Sequence, residues 1–532
     1  MSAGAGTGVD AVHTLPSIVA DPAVTTALAA DLTAAGFTVE RLDSLWGAEA
    51  AASLHRGSRV AALRALAARE TTPLGTLATL FVLGLPVARA EAAAAFPTAG
   101  LDAVVAAGLL RSDGQGEGGG ADVLVHPTVD LRPYAFVDDL GAGSWWIVSD
   151  LGELALGHAI SEEHVLGIGG ATTTLSGLQV PVPVERVLDL GTGCGIQAMH
   201  ARRFADQVVA TDISRRALDI ARFNARLNGI DGIDFRFGSL FEPVAGERFD
   251  RIVSNPPFVI TPRREGVPSY EYRDGGMVGD ALVETVLRGL EAHLEPGGTA
   301  QLLGNWEYHW GIDGLDRVRG WFADTDLDVW VIERERQDPT SYAETWIRDG
   351  GTKPGTAEFD TLMSAWLDDF ADRRVTGVGF GYVVVRRPLP GGPSGLRRFE
   401  RVPETLGSNP AGLGATVARV LDAAAWLAAN DDAALAAAHL SVAGDVTEER
   451  YYWPGNDDPT VMTLVQGGGL GRRVDADTAL AAFVGACDGD LSVAAITGAL
   501  AQITGVDEQA LAADLLPAAR DLVLDGLLVP AA

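Results

Sequence analysis

The feature that most constrains the fold is an apolar strand that runs directly into a glycine-rich turn. The sequence VLDLGTGCGIQA places Asp189 at the end of this strand, ahead of three glycines and a helical segment. The glycines are Gly191, Gly193 and Gly195. Glycines here let the backbone turn tightly beside a ligand, and the first turn of the helix offers free amide donors. The spacing is G-x-G-x-G, which differs from the G-x-G-x-x-G of dinucleotide-binding folds.

Strand-like and helical segments alternate from about residue 184 to about residue 388. The predicted strands are Arg186–Leu190, Val208–Asp212, Asp234–Phe237, Phe249–Asn255, Gly298–Leu303, Asp328–Glu333 and Gly377–Arg386. The predicted helices between them are Gln197–Phe204, Ser214–Asn228, Gly279–His293 and Leu315–Phe322. Nearly continuous apolar strands that alternate with helices predict a mostly parallel sheet covered on both faces. The last strand follows a long polar insertion, and we expect it to be an antiparallel addition at the end of the sheet.

The flanking segments lack this alternation. Ala/Leu-rich helical segments, a Gly-rich stretch and a strand-like segment predict a winged-helix-like N-terminal domain over residues 1–140. Residues 141–184 are interpreted as a connecting segment that contributes to the substrate side, and residues 185–390 as the α/β domain. Residues 400–532 are predicted to be helical, and the pattern leaves open whether they also form a winged helix.

Charge and composition restrict the compartment and the partners. The net charge is −31 and every third of the chain is acidic, so a broad positive face for nucleic acid is not expected. No apolar segment reaches the roughly 18 residues needed to span a bilayer, so no membrane partner is expected. The cysteines Cys194 and Cys487 form no disulfide or metal-binding pattern, which favours a reducing, cytoplasmic location without a metal.

Two further strand ends carry polar residues suited to ligands. The second strand ends in VVATD, and Asp212 at that position can accept hydrogen bonds from both hydroxyls of a ribose. An N-cap of the next helix is the alternative role for Asp212. The fourth strand ends in IVSNPPF, where two prolines stop the strand and hold Asn255 in a fixed pose. The Asn255 oxygen can then accept the hydrogens of an –NH2 group, while Phe258 offers a stacking face.

In this order, DLGTGCG, the acidic strand end, the helix A-x-x-N-A-x-x-N-G and NPPF resemble the class I N-methyltransferases that use S-adenosyl-L-methionine (SAM). The nearest group contains the HemK-type glutamine methyltransferases beside rRNA guanine-N2 and tRNA adenine-N6 enzymes. The resemblance covers about residues 165–390 and is absent at both ends. It implies a Rossmann-like α/β fold with a seven-stranded, mostly parallel sheet, flanked by the helical, winged-helix-like domains.

The resemblance also implies roles for individual residues. The methionine end of SAM would lie on the glycine turn, the ribose on Asp212, and the adenine between Ser239 and Leu240. Relatives commonly have Asp at the position of Ser239, so the adenine contact departs from the family pattern. The residues implied for the cofactor are Asp189, Gly191, Thr192, Gly193, Gly195, Asp212, Ile213, Ser239, Leu240 and Asn255. Those implied for catalysis are Asn255, Pro256, Pro257 and Phe258.

Three functions remain open at this point. The segment Glu271–Leu290 resembles the part of HemK-type enzymes that follows their motif, which favours methylation of a protein glutamine. The shared NPPF and the winged-helix-like ends favour a base in RNA or DNA, where Arg263 and Arg264 could contact phosphate. A non-catalytic SAM-binding scaffold is the third interpretation, and the intact glycines, Asp212 and Asn255 argue against it.

Two aromatic segments have less certain roles in the sequence. The pair Trp145 and Trp146 precedes the α/β domain, and it is interpreted either as a wall of the acceptor pocket or as core packing. The stretch SYAETWIRDGG, Ser341–Gly351, has no interpretation from sequence alone.

Overall fold

The computed structural model describes residues 16–113, 123–157, 160–264, 266–270, 273–392 and 394–531. Within these ranges, no helix combines the length and the hydropathy required to cross a membrane. Most of the predicted Gly-rich stretch, and the first two residues of Glu271–Leu290, lie outside the described residues.

The N-terminal part begins with short helices. They are α1 (Pro22–Ala35), α2 (Val39–Trp46), α3 (Ala48–His55), α4 (Val60–Ala67) and α5 (Pro73–Leu77), followed by a π-helical turn at Ala78–Val82. A small antiparallel sheet follows, with β1 (Val87–Ala88), α6 (Arg89–Ala95), α7 (Leu101–Ala106), β2 (Leu110–Ser112) and β3 (Leu124–Pro127). The last elements are β4 (Val129–Asp138), β5 (Gly141–Asp150), α8 (Glu153–Leu156) and α9 (Gly170–Leu178).

The long hairpin β4–β5 crosses the boundary that the sequence suggested at residue 140. Its ladder pairs Val129 with Asp150 and Asp138 with Gly141, so residue 140 lies in the turn. Apolar residues of the N-terminal helices share one core with α10 (Ile196–Ala201) and α11 (Arg215–Leu227) of the next domain. The N-terminal part is therefore packed onto the α/β domain along this face.

The α/β domain is built on one large sheet. Besides α10 and α11 it contains β6 (Val184–Leu190), β7 (Ala205–Asp212), β8 (Ile233–Phe237), a 3-10 turn (Glu242–Val244), β9 (Phe249–Ser254), α12 (Ala281–His293) and β10 (Leu294–His309). It continues with α13 (Gly314–Trp321), β11 (Asp328–Gln337), α14 (Pro339–Asp349), α15 (Ala357–Asp372), β12 (Val375–Arg386) and β13 (Arg397–Arg401). The strand order is β13-β11-β12-β10-β9-β6-β7-β8.

This sheet confirms the predicted fold class with one addition. All seven predicted strands are present, and β12 is antiparallel to both neighbours. It lies between β10 and β11, so it is inside the sheet and not at its edge. Among the described residues an eighth strand, β13, pairs in parallel with β11. Its sequence RRFER was not predicted as a strand because it is mostly charged, whereas a buried strand is expected to be apolar.

The sheet is asymmetric at the edge where its parallel strands end. The pairing of β9 with β10 stops at Ser254 and Leu302, but β10 continues to His309 along β12. Strand β11 follows the same ladder as far as Gln337. The antiparallel ladder therefore projects beyond the parallel strands, and α14 and α15 pack on this projection.

The C-terminal part combines helices with two three-stranded antiparallel sheets in the described residues. Its elements are α16 (Gly414–Ala429), α17 (Asp432–Ala437), β14 (His439–Val442), β15 (Val446–Tyr451), β16 (Val461–Gln466), β17 (Arg473–Ala476), α18 (Thr478–Gly485), β18 (Asp488–Ser492), α19 (Val493–Thr504), α20 (Glu508–Leu524) and β19 (Leu528–Pro530). Helix α16 packs on α9 and α20, which attaches this part to the α/β domain.

Candidate active site

The glycine turn after β6 is open on one side. Gly191, Gly193 and Gly195 have φ angles of 76°, 54° and 88°, in the left-handed region that favours glycine. Among the described residues, a Cβ atom on Gly191 or Gly193 would meet no atom within 4 Å, whereas one on Gly195 would lie 2.8 Å from the Cβ of Ala221. Gly195 is thus required for packing against α11, and the first two glycines leave a free cradle for a ligand.

Hydrogen bonds fasten this turn to the end of β7. The carbonyl of Thr211 accepts from the amides of Gly191 at 3.0 Å and Thr192 at 2.9 Å. Asp212 Oδ2 accepts from the Gly193 amide at 2.9 Å, and its Oδ1 accepts from the Ser214 amide at 2.8 Å. Each carboxylate oxygen keeps a lone pair for a second donor. The helix-capping alternative for Asp212 is wrong, because the N-cap residue of α11 is Ser214.

Asp189 lies beneath the turn and is fully buried. Its Oδ2 accepts from the Thr192 hydroxyl at 2.6 Å, while Oδ1 has no partner in the described part of the chain. Burial raises the pKa of Asp189 to about 7 because the charged form loses its hydration. Burial also raises the pKa of Asp212. A buried carboxylate oxygen without a donor is costly, so Asp189 is suited to receive one from a ligand.

The residues implied for the adenine follow β8 at the same edge. The Gly238 amide donates to the Asp212 carbonyl at 3.0 Å, which joins the ends of β7 and β8. Leu240 has a φ of 48°, which is uncommon for a residue other than glycine and places it in a strained turn after Ser239. Ile213 is 60% exposed, so its side chain is free to cover a ligand. The structure brings these residues to one side of the glycine turn.

The NPPF segment begins beside the glycine turn. Ser254, the last residue of β9, donates its hydroxyl to the Leu190 carbonyl at 2.8 Å, next to Asp189. Asn255 follows directly, and its Oδ1 is buried without a hydrogen-bond partner among the described residues. Pro256 and Pro257 carry no amide hydrogen, so the strand ladder ends there. An unpaired amide oxygen is therefore held next to the cradle.

Phe258 packs against helix α14, and the sequence did not predict this contact. The ring of Trp346 lies 6.4 Å from the ring of Phe258, at an interplanar angle of 74°. The Arg273 guanidinium donates a hydrogen bond to the Trp346 carbonyl at 2.9 Å. The backbone carbonyl of Arg273 accepts a hydrogen bond from the Val259 amide at 2.8 Å. The uninterpreted stretch SYAETWIRDGG is this helix, and two aromatic residues one turn apart were its only signal.

The tryptophans before the α/β domain do not lie in this site. Trp145 packs on Phe136 and His200, with ring centroids 4.3 Å and 4.7 Å away. The Trp146 indole donates to the Phe37 carbonyl at 2.7 Å. Of the two interpretations, core packing is the one that the structure shows.

The asparagines of the helix motif connect the hairpin to the cofactor side. Asn224 accepts the Val148 amide at 2.8 Å and donates to the carbonyls of Val148 at 2.9 Å and Cys194 at 2.8 Å. Asn228 makes the equivalent pair of bonds to Trp146.

Cys194 belongs to the glycine turn, and burial raises its pKa to about 11, so it is not a reactive thiolate.

The two arginines proposed as phosphate contacts are engaged within the chain. Arg264 forms an ion pair with Asp372 at the end of α15. Arg263 donates to the Ser269 hydroxyl at 3.1 Å and to the Met277 carbonyl at 3.4 Å. These contacts use some of the guanidinium donors that a nucleic-acid backbone would need.

The sheet and the two strand-end motifs together confirm the class I methyltransferase fold that the sequence implied. Residues 169–308 match the family described as methyltransferase small domain. Residues 34–121 and 418–530 match two domains of unknown function, DUF7059 and DUF7782.

Relatives confirm the resemblance to the HemK-type group over the central domain. A release factor glutamine methyltransferase from Xylella fastidiosa is 42% identical over 26% of this chain and 54% of its own length. A ribosomal protein uL3 glutamine methyltransferase from Bradyrhizobium diazoefficiens is 37% identical over 24% and 44%, respectively. A putative protein N5-glutamine methyltransferase from Methanocaldococcus jannaschii is 35% identical over 23% and 64%. The chain thus spans about half the length of these relatives.

Among solved structures, a ribosomal protein L11 methylase from Lactobacillus delbrueckii subsp. bulgaricus matches 44% of this chain and 82% of its own. The identity is 21% and the TM-score is 0.24, a similarity that adds nothing to the fold described above.

Proposed function

We propose that this protein transfers a methyl group from SAM to the side-chain amide nitrogen of a glutamine in a protein. The observation that carries the proposal is the buried Oδ1 of Asn255, which has no hydrogen-bond partner in the described part of the chain and follows β9 beside the open glycine cradle. The relatives named above, which share this domain, are glutamine methyltransferases by name. A glutamine amide has a planar –NH2 group, which can donate a hydrogen bond to such an oxygen.

The residues around the cradle fit SAM. The free space above Gly191 and Gly193 would take its methionine end, with the unpaired Oδ1 of Asp189 below. The two oxygens of Asp212 would accept the ribose hydroxyls, and Ser239 with Leu240 would flank the adenine. When bound, SAM supplies an electrophilic methyl group on a sulfonium leaving group, so no protein nucleophile is required.

The contribution of the chain is to position the acceptor. Asn255 accepts an N–H of the acceptor amide, which fixes the nitrogen and turns its lone pair away from the carbonyl. Phe258 supports the amide plane, and the edge of Trp346 limits the slot beyond it. Holding two reactants in line converts a bimolecular reaction into an effectively unimolecular one, which is the main source of rate for such a displacement.

The charge of the protein supports a protein acceptor over a nucleic acid. The net charge of −31 repels a phosphate backbone and attracts a basic protein surface. The internal contacts of Arg263 and Arg264 point the same way. The free cradle argues against a scaffold that has lost its ligand. The cytoplasmic location expected from the sequence remains part of this proposal.

Transfer of labelled methyl groups tests the proposal directly. The protein is incubated with methyl-labelled SAM and, separately, with a release factor, ribosomal protein uL3 and total RNA. We expect label on a protein, lost on protease treatment, with the mass of one methylene added to a glutamine. Label that survives protease treatment and is lost on ribonuclease treatment would show that the acceptor is a nucleobase and not a glutamine.

A pair of asparagine variants tests the role of the motif. Asn255→Ala should abolish transfer while calorimetry shows SAM affinity nearly unchanged, since Asn255 contacts the acceptor. Asn430→Ala is the matched control, because the Asn430 side-chain amide donates to the Trp426 carbonyl in the C-terminal part, far from NPPF in the sequence, and it should retain both properties. A wild-type rate in Asn255→Ala contradicts the assignment of the NPPF segment.

A further inference from the structure

The inserted helix α14 buries one side chain directly behind the NPPF segment. Tyr342 is 0% exposed and lies in an apolar cluster with Val259 and Ile260, the residues that follow Phe258. Aromatic rings surround it on several sides. They belong to Trp346, Trp366, Phe370 and Phe380, with centroids 6.1, 6.0, 5.9 and 5.6 Å from that of Tyr342. The ring of Tyr342 is therefore fixed in place.

The hydroxyl of Tyr342 joins three parts of the site. It accepts the Ile260 amide at 2.9 Å and the Asn305 side-chain amide at 2.8 Å. Asn305 is fully buried and lies on the projecting part of β10, three residues beyond the last pairing with β9 at Leu302. One oxygen atom thus connects α14, β10 and the segment after NPPF.

Other contacts also hold the residues after NPPF, including a hydrogen bond from the Thr261 hydroxyl to Asp274. The two prolines of NPPF donate no hydrogen bonds, so the first external contacts beyond them fix its course. The Val259 amide is held by the Arg273 carbonyl at 2.8 Å, and Phe258 makes a bridge to Asp274. The Ile260 amide depends on the Tyr342 hydroxyl. Of these anchors, only the Tyr342 hydroxyl can be removed by deleting a single heavy atom.

We propose that Tyr342 is a positioning residue, whose hydroxyl holds the Ile260 amide and thereby sets where Asn255 and Phe258 present the acceptor. The inference rests on the proposed function, because it assigns the acceptor to this segment. It extends that function to the inserted helices, since neither NPPF nor the glycine turn includes them. Loss of the hydroxyl leaves the Ile260 and Asn305 donors unpaired in a buried site and frees the segment to move.

The test compares two tyrosines that differ in what their hydroxyls hold. Tyr342→Phe removes the bond to Ile260. Tyr308→Phe is the control, because the Tyr308 hydroxyl is also hydrogen-bonded, to Glu333 at 2.7 Å and to Arg401 at 3.0 Å, but does not contact the NPPF segment. Both tyrosines are buried, so both variants should lower Tm. The kcat values of the two variants then distinguish a positioning role from a purely structural one.

We expect Tyr342→Phe to lower kcat by at least about tenfold, since small misplacements of an acceptor are costly to the rate. SAM affinity should stay within about twofold, and Tyr308→Phe should keep kcat within about twofold at a similar loss of Tm. Equal kcat for the two variants, whether both fall or neither does, would show that Tyr342 is only structural. The kinetics use whichever acceptor the wild-type protein labels. An RNA acceptor would therefore reject the glutamine proposal, but the two tyrosine variants could still be compared with RNA as the acceptor.

Discussion

Trp346 and Phe258 are separated by 88 residues, and their rings meet edge to face with centroids 6.4 Å apart. Phe258 belongs to the segment that resembles the methyltransferase family, whereas Trp346 belongs to an insertion between β11 and β12. The proposed acceptor slot is therefore built from two parts of the chain, a segment inside the family match over residues 169–308 and a helix that follows this match.

Replacing Trp346 by alanine should weaken acceptor binding. The edge-to-face contact that holds the Phe258 ring is worth about 0.5–1.5 kcal/mol. If acceptor binding loses the same energy when the ring becomes mobile, the KM for the acceptor rises by roughly 2- to 12-fold. SAM affinity should not change. Trp310→Ala is the control, since Trp310 is 79% exposed at the end of β10. An unchanged KM in Trp346→Ala would exclude this residue from the slot.

Removing the carboxylate of Asp212 should weaken SAM binding. Asp212→Ala loses the ribose contacts and also the bond to the Gly193 amide, at about 1–3 kcal/mol for partners left unpaired. Calorimetry measures this loss directly. The control is Asp219→Ala, because Asp219 lies on the following helix α11 and pairs with Arg222, and this variant should bind SAM normally. Equal affinities for the two variants would refute the ribose assignment.

The pKa of Asp189 predicts a pH dependence of SAM affinity. Burial raises this pKa to about 7, so the carboxyl group is partly protonated at neutral pH. Only its ionised form attracts the ammonium group of the methionine end, and we therefore expect affinity to rise between about pH 6 and pH 8. Titrations of the wild type and of Asp189→Asn check this. The variant should show a flatter profile, and an identical slope would mean that another group is responsible.

The same shift predicts a loss of stability in the SAM-free protein as pH rises. The folded pKa of about 7 exceeds the reference value of 3.8, so the folded state binds the proton more tightly than the unfolded state. The stability that this provides is complete below about pH 4 and declines as pH rises through about 7. Chemical denaturation at a series of pH values measures it, and Asp189→Asn should reduce the slope. A slope unaffected by this substitution contradicts the assignment.

Asn224→Ala should destabilise the protein by about 3 kcal/mol. The substitution leaves the Val148 amide, the Val148 carbonyl and the Cys194 carbonyl without partners in a buried site. Denaturant unfolding gives the value. Asn430→Ala again serves as the control, because it removes one partly buried bond, and it should cost about 1 kcal/mol. A smaller loss in Asn224→Ala than in the control would show that the hairpin is held by packing alone.

The fold could be predicted, and a candidate cofactor site could be placed on it, because their signals are local. The glycine turn, Asp212 and NPPF each stand at a strand end, and the parallel sheet brings strand ends to one edge. Helix α14 could not be predicted in the same way. Its contacts with Ile260 and Phe258 join residues about 80 positions apart, and an amphipathic helix with Tyr342 and Trp346 is equally compatible with ordinary core packing.

The pair Trp145 and Trp146 illustrates the opposite difficulty. Their position just before the α/β domain made an acceptor wall reasonable, but β5 extends them along α11, on the side where Asn224 and Asn228 bind the hairpin. The motif A-x-x-N-A-x-x-N-G carries part of the family resemblance, and its two asparagines bind a hairpin that the sequence does not place beside the helix. Strand β13 was missed for a similar reason, since its charged residues gave no apolar pattern.

The bonds of Asn224 have one more consequence, because they join the Cys194 carbonyl in the glycine turn to Val148 in the N-terminal hairpin. A ligand that orders the turn also orders the asparagine, and through it the strand. Such coupling between two binding sites is reciprocal. If SAM raises the affinity of the hairpin for a partner, that partner raises the affinity for SAM by the same factor. Slower hydrogen exchange at the Val148 amide on addition of SAM would show that the hairpin and the glycine turn are coupled.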